Sequence, residues 1–104
     1  MGRMSRDKGG RIEREIVGAH REIGVRAERV PLSGGAHYQG NGHDVDVYLA
    51  GRDAPLCCEV KARAAFPSWL LTWLADNDAL FLRGDHAEPF VVLPWRTWAE
   101  MVRR

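Results

Sequence analysis

The chain has 104 residues, 45% hydrophobic and 28% charged, with a formal net charge of +1. That size and balance fit one soluble globular domain, residues 1–104, with a sizeable core but little to spare. No apolar run reaches membrane-spanning length and the start lacks a signal-peptide pattern, so neither a membrane protein nor a secreted one is expected.

The first eleven residues, MGRMSRDKGGR, are basic and Gly-rich, and residues 1–8 read as a flexible basic arm. Before residue 30 eight basic residues (Arg3, Arg6, Lys8, Arg11, Arg14, Arg21, Arg26, Arg29) stand against five acidic ones. The middle is acidic and the end carries Arg103 and Arg104. A basic rim around an acidic centre suits a polyanion held near a metal, although a solvated helix of mixed charge has the same composition.

Residues 9–23 predict a helix, because Ile12, Ile16, Ala19 and Ile23 recur on one face. Gly24 is its expected stop. Glu13 falls at the edge of that face, on the side of Val17 and His20. Residues 26–32 predict a strand that Pro31 places at an edge or near its end. Residues 33–43, SGGAHYQGNGH, form a polar loop with four glycines.

Residues 44–49 alternate, with Val45, Val47 and Leu49 on one face and Asp44, Asp46 and Tyr48 on the other. A turn at 51–54 leads to a strand over 56–61. There Leu56, Cys58 and Val60 oppose Cys57, Glu59 and Lys61. Twelve residues separate Asp46 from Glu59, enough for a tight hairpin that can set them side by side. The adjacent Cys57 and Cys58 point to opposite faces, which disfavours a disulfide between them. Without C-x-x-C spacing they make no zinc site, and they read as small core residues of a reducing, cytoplasmic protein.

A short helix over 67–75, strands at 79–83 and 90–93, and a last helix opened by Pro94 complete the chain. Four tryptophans are many for so small a core. Core filling is the plain reading of each, and a subunit interface is the other. The order of elements implies one mixed sheet with helices packed on it.

Charged side chains on half-buried strands call for a partner or a metal. Asp46 and Glu59 are hard oxygen ligands suited to Mg²⁺, with Mn²⁺ able to substitute. Such an ion polarises a phosphoryl oxygen and activates water, and Lys61 can orient that water. A cross-strand Glu–Lys pair on a surface hairpin would have the same sequence. His43 with Asp44 and Asp46 is a weaker metal cluster, and Ser33 has no local base to make it a nucleophile.

The combination resembles the archaeal-type Holliday-junction resolvases of the PD-(D/E)XK nuclease superfamily. The resemblance runs through Lys8-Gly9, Glu13-Arg14-Glu15, Gly24, Arg29, Ser33, Asp46-Val47-Tyr48-Leu49-Ala50-Gly51 and Glu59-Val60-Lys61. Residues 62–104 carry no specific match. It implies an α/β fold, a single restriction-endonuclease-like domain with a central mixed five-stranded sheet flanked by helices. It implies a catalytic set of Glu13, Asp46, Glu59 and Lys61, with Asp46, Glu59 and Glu13 as metal ligands. Lys8, Arg11, Arg14, Arg29, Ser33 and Arg63 become the DNA-binding residues, and Asp44 is the alternative ligand, since Val45 stands where the superfamily often has Pro. The implied protein is a homodimer that resolves four-way DNA junctions by paired cuts. A nuclease for flaps or other branched DNA, and a catalytically silent DNA-binding module, are the alternatives.

Overall fold

The computed structural model describes residues 2–30 and 43–104, with side chains from Lys8 onward in the first stretch. The end of the first expected strand and the glycine-rich loop up to Gly42, Ser33 included, lie outside the described residues. The described chain falls into two compact units, Met1–Ala62 with Val102–Arg104, and Arg63–Met101.

The first unit opens with α1, Gly2–Glu22. It starts well before the expected residue 9, with Gly9 and Gly10 inside the helix. The most buried side chains of α1 are Val17 and His20, at 5% and 3% exposure, while Ile12, Ile16, Ala19 and Ile23 are half-buried. The inner face is therefore turned toward Glu13, Val17 and His20. His20 is accommodated there by donating Nδ1–H to the Ile16 carbonyl at 2.8 Å. The helix ends at Gly24 as expected. Its φ of 82° is accompanied by bonds from the Val25 amide to the His20 carbonyl (2.9 Å) and from the Gly24 amide to the Arg21 carbonyl (3.0 Å). This pairing is a Schellman closure, which satisfies carbonyls the helix leaves open.

Three strands follow: β1 Arg26–Arg29, β2 Val45–Tyr48 and β3 Leu56–Cys58. They form an antiparallel sheet in the order β1-β2-β3. Its apolar stripe is Ala27, Val45 and Val47, which with Val25 and Val17 makes up the buried core. Arg104 closes the unit, its amide donating to the Ile23 carbonyl at 3.0 Å.

The second unit holds α2 Ser68–Leu74, β4 Leu80–Leu82, β5 Phe90–Val92 and most of α3 Trp95–Val102. The hairpin β4-β5 pairs antiparallel with Leu80 opposite Val92. Arg96 ties α3 to the turn after α2 through the carbonyls of Asp76 and Asn77 and the carboxylate of Asp78. Trp69 and Trp73 lie against each other with ring centroids 4.9 Å apart. Neither they nor Trp95 fill a core, as all three are more than 40% exposed.

The expected central five-stranded mixed sheet does not form. The described strands make a three-stranded and a two-stranded sheet, both antiparallel. Two local features account for this. β3 stops at Cys58 instead of running to Lys61, because the next inward amide, that of Val60, donates to the Asp44 carboxylate at 2.8 Å and not to a main-chain carbonyl. The short strands β4 and β5 satisfy each other, and a hairpin closes the smallest loop at least entropic cost.

Candidate metal centre

The centre is built on the β2–β3 hairpin. Gly51, with φ of 81°, provides the left-handed residue in the turn. The register sets Asp46 opposite Cys57, Val45 opposite Cys58 and Val47 opposite Leu56. On the other side Asp46 faces Glu28 of β1. Strand alternation then fixes two faces. Val45 and Val47 point into the core with Ala27, and Asp46 lies on the opposite face in a row with Glu28 and Cys57. Arg26 shares that outer face, paired with Glu28 at 3.1 Å and stacked 4.1 Å over the Tyr48 ring.

The catalytic residues expected from the sequence occur as three pairs. Asp46 accepts a hydrogen bond from His43 Nε2 at 2.7 Å, with both side chains about three-quarters buried. Glu59 is bonded to Lys61 at 2.9 Å, and both are about half exposed. Glu13, only 14% exposed, receives Arg29 Nε at 3.1 Å. Gly10 lets the Arg29 guanidinium lie close on α1, since a Cβ there would stand 3.3 Å from its Nη2. Arg29 aligns with Val45, on the α1 side of the sheet, so the Glu13–Arg29 pair and Asp46 occupy opposite faces. Glu59 comes just past the end of β3, and the residue that the register sets beside Asp46 is Cys57, not Glu59 as expected. Asp44 is engaged by the Val60 amide through Oδ2.

Among the described residues, His43, Asp46 and Cys57 form a group of three whose ligand atoms lie within 4.8 Å of one another. Cys57 is exposed, contrary to its expected core place, and Cys58 is half-buried. Burial pushes the Cys58 thiol above its usual pKa, with the charges of Cys57 and Asp46 adding to the effect. The donor chemistry fits a divalent ion in general. Asp46 and Glu59 offer oxygen ligands of the kind Mg²⁺ takes, and His43 and Cys57 add softer donors beside them.

The basic residues expected to meet DNA are mostly exposed. Arg11 and Arg14 project from α1, Lys8 is half-buried on it, Arg29 ends β1, and Arg63 lies in the second unit. Arg14, Val17, Gly18, Arg21 and Arg29 line a cleft of about 340 Å³. Arg21 is fixed there by Nε and Nη2 bonds to the Ala27 carbonyl at 3.2 and 2.9 Å. The cleft is thus an electropositive groove with one anchored wall.

Sequence reasoning missed Cys57 as a neighbour of Asp46. A hairpin centred on Gly51 and Arg52 brings the two opposite each other, so the turn glycine was the available signal. The family described as "Phage putative PDDEXK endonuclease" matches residues 4–80, which include Glu13, Asp46, Glu59 and Lys61. The chain belongs to this PDDEXK endonuclease family. No curated protein and no solved structure matched it. Among the described residues no helix is long and apolar enough to cross a membrane.

Proposed function

We propose that the protein is a Mg²⁺-dependent, structure-selective DNA endonuclease of the Holliday-junction resolvase type, working as a homodimer in the cytoplasm. The observation that carries the reading is the family match over residues 4–80, within which Asp46 stands on β2 and Glu59-Val60-Lys61 comes directly after its partner strand β3. Mn²⁺ can stand in for Mg²⁺. In this reading Asp46 and Glu59 hold the ion, which when bound polarises the scissile phosphate and makes its water a better nucleophile. Lys61, already within 3 Å of Glu59, orients that water and balances the charge that builds on phosphorus.

Glu13 holds the Arg29 guanidinium in one plane, which prepares it to take a phosphate oxygen. Glu13 lies with Arg29 on the face opposite Asp46, so in this reading it acts through Arg29 and not as a ligand of the same ion. Lys8, Arg11, Arg14 and Arg63 supply further phosphate contacts, with Ser33 as a further DNA-binding residue. A junction needs two opposed cuts, hence two copies, and the exposed tryptophans of the second unit offer apolar surface for that contact.

The test is a panel of labelled four-way junctions, flaps, nicked duplexes and plain duplexes at one stated salt concentration, because phosphate binding is strongly salt-dependent. Symmetric paired cuts on the junction are expected, with Asp46→Asn and Glu59→Gln binding it but not cutting. Wild-type cleavage by both variants removes the proposed centre. Flap cleavage alone replaces the substrate. Binding with no cleavage of any substrate makes the chain a DNA-binding module.

A further inference from the structure

We propose that His43, Asp46 and Cys57 form a binding site for a borderline-soft divalent transition metal of the zinc class. The trio brings one nitrogen, one carboxylate and one sulfur donor within 4.8 Å of each other. Mg²⁺ takes oxygen ligands and gains little from imidazole or thiolate, whereas Zn²⁺ takes all three donor types.

The geometry needs little change. Tetrahedral Zn²⁺ with bonds of about 2.0–2.3 Å holds its ligand atoms roughly 3.3–3.8 Å apart. The widest gap in the trio, at most 4.8 Å, then closes by about 1–1.5 Å, and the 2.7 Å His43–Asp46 gap opens by about 0.6–1.1 Å. Side-chain rotation supplies both movements. Asp46 and Cys57 are cross-strand neighbours whose relative position the sheet fixes. His43 lies just ahead of β2, outside the ladder.

Binding also balances chemically. The exposed Cys57 thiol releases its proton to solvent and binds as thiolate. The His43 imidazole presents the Nε2 lone pair, its N–H passing to Nδ1 through solvent, so the hydrogen bond to Asp46 is exchanged for two metal bonds. Cys58 points to the opposite face and takes no part. Three protein ligands leave a fourth position for water, the pattern of an open zinc site and not of a closed structural one.

The site shares Asp46 with the centre proposed above, but its other two donors belong to neither that centre nor its DNA contacts. It is tested on the full chain, reduced and freed of metal, by titration with Co²⁺ in the absence of DNA and Mg²⁺. The expected result is saturation at one Co²⁺ per chain, with the visible absorption of tetrahedral cobalt and a near-ultraviolet thiolate-to-cobalt band, both erased by Zn²⁺. Cys57→Ser should lose the thiolate band, and His43→Ala should weaken binding by more than ~10-fold, while Cys58→Ser titrates like wild type. Far-ultraviolet circular dichroism establishes that each variant is folded. Absence of the thiolate band in wild type, its survival in Cys57→Ser, or its loss in Cys58→Ser overturns the proposal. Failure here leaves junction cleavage untouched, and failure of junction cleavage leaves this result untouched.

Discussion

The choice between Asp44 and Asp46 is decided by exchanging each in turn. Asp44 Oδ2 accepts the Val60 amide at 2.8 Å, in a partly buried setting where the ladder between β2 and β3 has ended. A charge-assisted bond of this kind contributes about 1.5–3 kcal/mol. Asp44→Ala removes the acceptor and strands the Val60 N–H, so a loss of about 1.5–3 kcal/mol is expected. At roughly 4–8 °C per kcal/mol for a domain of this size, the midpoint of thermal unfolding falls by about 6–24 °C. Asp44→Asn keeps an acceptor oxygen and loses only the charge, so its cost should be near 1 kcal/mol. Among the described residues Asp46 makes no such main-chain bond, and Asp46→Asn should leave stability within about 1 kcal/mol of wild type. Urea and thermal denaturation followed by circular dichroism read the stability, and junction cleavage in Mg²⁺ reads the chemistry. Asp44→Asn should cut at temperatures where it is folded, and Asp46→Asn should not. A folded Asp44→Asn that cannot cut, beside an Asp46→Asn that can, would refute the assignment of Asp44 as a structural clamp.

Further expectations follow from single contacts. Gly24→Ala should destabilise by more than about 1 kcal/mol in urea unfolding, because φ is 82° and the new Cβ would stand 2.9 Å from the Arg104 carbonyl oxygen. Arg29→Ala leaves the largely buried Glu13 without its partner. It should weaken junction binding and lessen the salt dependence of that binding, measured by titration at several salt concentrations. The raised pKa of Cys58 means that the folded state holds this thiol proton more tightly than the unfolded chain does. The stabilisation is complete below the ordinary value of 9.0 and is lost as pH rises through the folded pKa, so stability should decline above pH 9 more in wild type than in Cys58→Ser. Near neutral pH a thiol reagent should label the exposed Cys57 before Cys58, as read by peptide mass analysis.

The alternation of residues 44–49 was legible because one face is buried and the other is not, the condition under which a period of two survives in sequence. The stop at Gly24 was legible for a similar reason, since only a left-handed residue closes α1 there. The inner face of α1 was harder to read. Four aliphatic residues marked one side, but the sheet takes Val17 and His20, and a histidine bonded to its own helix leaves no hydrophobic signal. The end of β3 depends on a side chain sixteen residues away competing for an amide, which no local pattern records. The separation into two sheets likewise depends on which strands find partners, not on how many strands there are. Of the candidate site, the Asp–Glu–Lys spacing was visible directly. Glu13 entered through resemblance alone, and its contact with Arg29 joins a helix to the end of a strand. Cys57 was visible only to a reader who had centred the turn correctly.

The same four residues of β2 carry both the buried core and the proposed site. Val45 and Val47 are almost wholly buried, and Asp46 stands between them on the other face. A slip of one residue in register would turn the valines to solvent and drive the carboxylate into the core. Unpaired burial of a carboxylate costs several kcal/mol, a large share of the stability of a small domain whose described residues include five buried apolar side chains. Asp44 guards the same register from the strand end, because its bond to Val60 forms only when Val45 faces Cys58. The acidic face is therefore a consequence of how β2 packs. In both the proposed nuclease centre and the proposed zinc-class site, a metal would meet Asp46 at a position that core packing has already set.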